Sequence, residues 1–205
     1  MSSIQTIFWD LGGVLLTNAW DHTERSEALA KFKIDPTKFN SLHQKVVAAF
    51  ENGEISLDEY LDRVVFTGPT SFSRDEFKRY MFSLSKPFSD RIQLARNLAR
   101  SGKYFMGTIN NESRELDLYR IETFGLKDVF SLFVSSCFVG LRKPEERIYR
   151  CALDLAQKAP EECCFIDDRE ENLAIPAKMG MRVIQAKTTA QIQTDLQEMG
   201  VGFGG

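Results

Sequence analysis

Five short, largely apolar runs constrain this chain more than any other feature. They lie at residues 4–9, 104–109, 132–134, 163–166 and 182–185. A strand with one wet face alternates apolar and polar residues, whereas a continuous apolar run suits a strand buried on both faces, as in a parallel sheet covered by helices. Helical stretches separate the later runs, at 112–124, 145–158, 171–179 and about 190–199. In the second of these, Ile148, Ala152 and Leu155 share one face, and Pro144 is placed to pre-set the first turn. This alternation predicts an α/β fold, a doubly wound, Rossmann-like parallel sheet.

The spacing between the first and second runs is anomalous. Residues 21–100 hold no convincing strand but several amphipathic helices, broken at Asp35-Pro36, Asn52-Gly53, Gly68-Pro69 and Lys86-Pro87. Residues 50–60 read as a helix end, a glycine stop, a serine cap at Ser56 and a new helix. The expected organisation is a core of residues 1–16 and 88–205, with an all-helical insertion at 17–87 seated over the carboxyl edge of the sheet.

Composition excludes several classes. The net charge of −3 leaves no polybasic patch, so neither nucleic acid nor an anionic membrane is an expected partner. The longest uncharged stretch, 129–141, has 13 residues, too few to cross a bilayer. The first residues, MSSIQT, lack the basic and apolar regions of a secretory signal. Cys137, Cys151, Cys163 and Cys164 show no metal-ligand spacing, so a reducing, cytoplasmic setting is expected for a monomer or homodimer.

Ligands of an open parallel sheet sit beyond the carboxyl ends of its strands. Here those ends deliver Asp10-Leu-Gly-Gly-Val14, Thr108-Ile-Asn-Asn111, Leu141-Arg-Lys-Pro144 and Asp167-Asp168-Arg169. Asp10 with Asp167 and Asp168 would make an oxygen site of several negative charges, suited to a hard cation such as Mg²⁺. Lys143 and amide donors beside it complete an inventory for phosphate. A carboxylate next to bound phosphate can attack phosphorus, which makes phosphoryl transfer the economical reading.

Asp10-x-x-Gly-Val, the asparagine-bearing strand end, Arg142-Lys143-Pro-Glu-x-Arg-Ile-Tyr149 and Phe165-Ile-Asp-Asp168-x-x-x-Asn172 resemble, in order, the four motifs of the haloacid dehalogenase superfamily. The insertion resembles the helical cap of some members. Asn52-Gly-Glu-Ile-Ser56 and Gly140-Leu-Arg-Lys-Pro-Glu145 are similar to the bacterial sugar-phosphate (glucose-1-phosphate) phosphatase branch. The resemblance implies that Asp10 is the nucleophile and a Mg²⁺ ligand, that the carbonyl of Gly12 is a second ligand, and that Asp168 is the acidic ligand. It implies that Asp167 holds a metal-bound water or orients Lys143, and that Lys143 steadies the transferring phosphoryl group. Gly13, Asn111 and Arg142 fall among the substrate-binding positions, Arg142 with the alternative of pairing with Glu145. Asn172 is expected to hold its loop.

Two positions depart from the family pattern. The second motif usually ends Ser-Asn or Thr-Asn; alignment on Asn111 puts Asn110 at the hydroxyl position, while a shorter strand would offer Thr108. Most phosphatases of the family carry, at position 12, an aspartate that protonates the leaving oxygen and then activates water. Three explanations of Gly12 stand open: a substitute such as Asp21, His22 or His43; a leaving group needing little protonation; or lost catalysis. The expected function is a Mg²⁺-dependent phosphatase of a small phosphorylated metabolite, acting through an aspartyl-phosphate. Its alternatives are a silent phospho-ligand binder and, against the two acids at 167 and 168, a 2-haloacid dehalogenase.

Overall fold

The computed structural model describes residues 3–203; the outermost residues of the expected core range and of the MSSIQT segment, 1–2 and 204–205, lie outside the described residues. Five strands, β1 (Thr6–Trp9), β2 (Phe105–Asn110), β3 (Leu132–Ser135), β4 (Cys163–Asp167) and β5 (Arg182–Gln185), form one sheet. Its order is β3-β2-β1-β4-β5, and every pairing is parallel. This is the expected doubly wound arrangement, with β1 at the centre and all carboxyl ends on one edge.

Alternation along the strands divides the sheet into two faces. Ile7 and Trp9 pack with Met106, Ile166 and Ile184 under α5 (Ser89–Arg100) and α10 (Thr189–Glu198). Phe8 faces the other way, with Ile109, Val134 and Phe165, under α8 (Glu146–Ala156) and α9 (Glu170–Lys178). Each strand is thus covered on both sides, which is why the runs read as continuous. Pro144 does not pre-set the first turn of α8: the helix begins at Glu146, and Pro144 belongs to the turn that carries Lys143.

Between β1 and β2 stand α1 (His22–Lys31), α2 (Pro36–Glu51), α3 (Leu57–Val64) and α4 (Arg74–Ser83). They enclose an aromatic cluster of their own, including Trp20, Phe32, Phe39, Phe50, Tyr60 and Phe77. Asp35 caps α2, which ends before Gly53 (φ +72°), and Ser56 opens α3 in a reciprocal capping box with Glu59. That is the punctuation expected from the sequence.

The chain enters and leaves this cap through one seam. The Thr17 N–H donates to Lys86 O (2.9 Å), the Thr17 hydroxyl donates to Leu84 O (2.6 Å), and Leu16 bridges Pro87. α6 (Arg114–Thr123) supports the seam, and the single turn α7 (Ser136–Val139) lies beneath the end of α2. Among the described residues, no helix is long and apolar enough to cross a membrane.

Candidate active site

β1 and β4 are neighbours in register, Trp9 opposite Ile166, so Asp10 and Asp167 emerge side by side. The Asp10 N–H donates to Ile166 O (2.8 Å), which fixes the point where β1 stops. Lys143 arrives from the loop before α8, and its Nζ lies 2.9 Å from Asp10 Oδ1 and 2.7 Å from Asp167 Oδ2. All three side chains are buried. Burial raises the Asp10 carboxyl to about 7, opposed first by the Lys143 charge and reinforced by Asp167.

Asp167 is the most heavily tied of the acids. It accepts from Lys143, from the Arg169 N–H (2.9 Å) and, through both oxygens, from Asn172 Nδ2 (3.1 Å each). These contacts set it against Lys143, the arrangement expected of an acid that orients the lysine. Asn172 does more than hold its loop, since its amide fixes this carboxylate.

Asp168 differs: its Oδ1 is buried with no hydrogen-bond partner. Burial, and then Asp167, raise its carboxyl above the ordinary range. Asp10, Asp167 and Asp168 each offer an oxygen within 4.8 Å of the others. An unpartnered carboxylate oxygen in a cluster of three acids fits a hard divalent cation, which prefers oxygen ligands.

The two glycines serve different ends. Gly12 lines the cavity above Asp10. Gly13 has φ +74°, and a Cβ there would lie 2.3 Å from Asp168 Oδ2, so it is the glycine against which the Asp168 carboxylate is laid.

Two expectations for the second motif are corrected. Asn110 is buried; its Nδ2 donates to Asp117 Oδ1 (2.8 Å) on α6, and its Oδ1 has no hydrogen-bond partner. Thr108 is wholly buried within the sheet. Neither lines the cavity. The reason is the strand period of two: Ile109, between them, faces the Phe8 side, while residues 108 and 110 face the other. Asn111 does reach the cavity, but its amide is spent on Lys143: Oδ1 accepts the Lys143 N–H (2.8 Å) and Nδ2 donates to Lys143 O (2.9 Å). It positions the lysine rather than a ligand.

The cavity, about 230 Å³, is roofed by the cap through Trp20, Asp21, Arg25, His43, Phe50 and Glu51. Arg142 pairs with Glu51 of α2 (2.5 Å), not with Glu145, and Arg169 pairs with Asp21. His22 is exposed and lies outside the cavity wall. His43 lines it, 2.7 Å by Nδ1 from the Tyr60 hydroxyl, which accepts from Trp20 Nε1 (3.0 Å). Burial, and then Arg25, lower His43 to about 4, so at neutral pH it is an uncharged imidazole and has no imidazolium proton to give.

Sequence reasoning missed Glu112 and Arg120, both buried in the cavity wall and 3.0 Å apart through Oε2 and Nη1. Arg120 also donates to Thr17 O (2.7 Å) and to the Ser85 hydroxyl (3.1 Å), gripping both passages of the cap seam. A signal existed: Arg120 stands one turn after Leu116 on the buried side of α6, which puts a charge on its apolar stripe, and Glu112 lies just ahead of that helix.

Residues 4–180 match the family described as haloacid dehalogenase-like hydrolase, and the chain belongs to it. Among curated relatives, the bifunctional epoxide hydrolase 2 of Rattus norvegicus is 31% identical over 137 residues, 64% of this chain but 24% of that protein's length. Among solved structures, a HAD family enzyme from Bacteroides thetaiotaomicron superposes with a TM-score of 0.77 at 24% identity, covering 91% of this chain and 95% of its own. The same enzyme in complex with magnesium and inorganic phosphate gives 0.74 at 22%, covering 90% and 95%. An L-2-haloacid dehalogenase gives 0.67 at 16%, covering 96% and 100%. These structural likenesses concern the fold.

Proposed function

We propose that the chain is a Mg²⁺-dependent phosphomonoester hydrolase acting on a small phosphorylated metabolite. The observation that carries this reading is the buried Lys143 ammonium between Asp10 and Asp167, next to the unpartnered Oδ1 of Asp168. Asp10 and Asp168 would hold the cation, which supplies charge neutralisation for an incoming phosphate. Lys143 opposes the burial that raises Asp10 and gives the phosphoryl oxygens a second positive group. Asp10 attacks phosphorus, the alcohol leaves, and water then cleaves the aspartyl-phosphate.

Relatives support the reading at a distance. One structural neighbour was crystallised with magnesium and inorganic phosphate. The three-acid cluster speaks against a dehalogenase, because halide displacement calls for no cation site. Four free cysteines favour a reducing, cytoplasmic setting. The sugar-phosphate branch suits the polar cavity, whose cap wall carries Asp21, Arg25, His43 and Glu51.

The test is phosphate release from a panel of phosphometabolites with Mg²⁺. Turnover that EDTA and Asp10→Asn both abolish is expected; turnover that survives either sinks the proposal. Gly12 favours one second reading, a silent binder, which would show Mg²⁺-dependent stabilisation by BeF₃⁻ with no turnover across the panel.

A further inference from the structure

If the site hydrolyses phosphomonoesters, it needs a proton donor that position 12 does not provide. A Cβ built on Gly12 would lie 2.9 Å from Asn18 Oδ1 and 3.7 Å from Arg120 Nη1. That same Nη1 is 3.0 Å from Glu112 Oε2. The cavity wall beside Gly12 thus carries a carboxylate delivered from the β2–α6 junction. Glu112 Oε1 accepts the Ser113 N–H (2.9 Å), so the group is held from two sides.

The other acids of the cavity are committed or remote. Asp10 is the nucleophile, Asp21 and Glu51 lie on the cap side in partly exposed pairs with Arg169 and Arg142, whereas the Glu112–Arg120 pair is buried, and Glu171 is exposed. His43 is uncharged at neutral pH.

We propose that Glu112 performs both proton transfers of the reaction. This rests on the phosphatase reading. In the first step Asp10 bonds to phosphorus, the bond from phosphorus to the leaving oxygen breaks, and that oxygen takes its electron pair and the Glu112 proton to depart as an alcohol. In the second, the Glu112 carboxylate takes a proton from water as the water oxygen bonds to phosphorus. The electron pair of the broken bond returns to Asp10, inorganic phosphate leaves, and Glu112 is again protonated.

The surroundings poise the group for both roles. Burial raises Glu112 to about 7; Arg120 opposes this, while Asp117 on α6 and Glu51 on α2 push with it. A carboxyl near 7 is available as acid and as base at neutral pH.

The experiment compares two phosphate esters of similar size, p-nitrophenyl phosphate and benzyl phosphate. The p-nitrophenolate ion leaves without protonation, whereas benzyl alcohol needs a proton. Glu112→Gln is expected to lose about 10²-fold or more on benzyl phosphate. With p-nitrophenyl phosphate it should release one rapid equivalent of p-nitrophenolate and then stall, because water is no longer activated. Gly12→Asp added to this variant should restore turnover. Wild-type rates on both esters, or an equal first-step loss on both, would overturn the proposal.

If Glu112→Gln does not fold, the wild-type profile decides. An alkaline fall in the first-step rate seen with benzyl but not p-nitrophenyl phosphate supports Glu112, and identical profiles overturn it. A wild-type protein that cleaves neither these esters nor any of the phosphometabolite panel refutes the phosphatase reading itself.

Discussion

Lys143 Nζ stands 2.9 Å from Asp10 Oδ1, and the same nitrogen is 2.7 Å from Asp167 Oδ2, all of it out of water. One cation therefore offsets part of the cost of charge on two adjacent carboxylates where burial makes charge costly. Lys143→Met leaves both uncompensated. Activity is expected to fall by about 10²-fold or more, the usual loss for a positive group aimed at developing charge. Stability should drop by about 3–5 kcal/mol at pH 8, as for a broken buried pair. At pH 5 the loss should be smaller, because Asp10, raised to about 7 by burial, is already protonated there. Thermal melts of the metal-free protein at the two pH values check this; equal losses would contradict it.

The buried acids also set the wild-type pH response. Asp10 and Glu112 sit at about 7 and Asp117 at about 6, each raised chiefly by burial. The native state keeps protons that the unfolded chain has released above the ordinary carboxylate range. Their contribution is fully present below the unfolded values and is lost as pH rises through the folded ones. His43 acts oppositely: lowered to about 4, it favours the native state above its unfolded value near 6.5 and loses that contribution as pH falls. Above pH 6.5 the remaining His43 change is small beside that of the carboxylates. Tm in EDTA should therefore fall from pH 6.5 to 8, and Glu112→Gln should flatten the slope. A Tm that rises over this interval would be inconsistent with buried, proton-holding acids.

The legible parts of the molecule are those where chemistry repeats along the chain. Strands β1 to β5 announce themselves because both faces are buried, and Asp10, Lys143, Asp167 and Asp168 stand out because polar groups at the ends of such runs have no packing role. Side-chain direction is less legible. Asn110 and Asn111 are adjacent, yet one turns to Asp117 and the other to the Lys143 backbone. A shift of one residue reverses the face, and short motif alignment does not resolve it. Arg120 and Glu112 were hidden for a different reason: their meaning depends on the cap seam and on Gly12, residues about a hundred positions away. The cap's polar roof is likewise a product of tertiary closure, as in Arg142 choosing Glu51 over Glu145.

Gly13 is expected to be as intolerant as an acidic ligand. Its φ of +74° strains any side chain by about 1–2 kcal/mol. A methyl there also meets the Asp168 carboxylate at 2.3 Å, so the carboxylate must move. Gly13→Ala should lower Tm modestly but abolish the stabilisation that Mg²⁺ gives the wild type. Retention of the full Mg²⁺-induced Tm gain would show that Asp168 need not lie against Gly13.

The cap is seated on the core at a second point besides its seam, and the two kinds of contact there should differ in energy. Glu51 Oε2 pairs with Arg142 at 2.5 Å, while Glu51 O accepts the Ser136 hydroxyl at 2.6 Å. Two residues on, Gly53 (φ +72°) approaches so closely that a Cβ would lie 2.3 Å from Cys137 O. The ion pair is partly exposed, with about a quarter of each side chain reached by solvent, so Glu51→Gln should cost under about 1 kcal/mol. At Gly53 the obstruction is backbone, which cannot swing aside, and the left-handed conformation adds its own strain. Gly53→Ala should therefore lift the end of α2 off α7, raising KM several-fold and lowering Tm more than Glu51→Gln does. Steady-state kinetics and thermal unfolding of the two variants make the comparison. A Gly53→Ala protein with wild-type KM would mean that closure of the cavity does not depend on this seat.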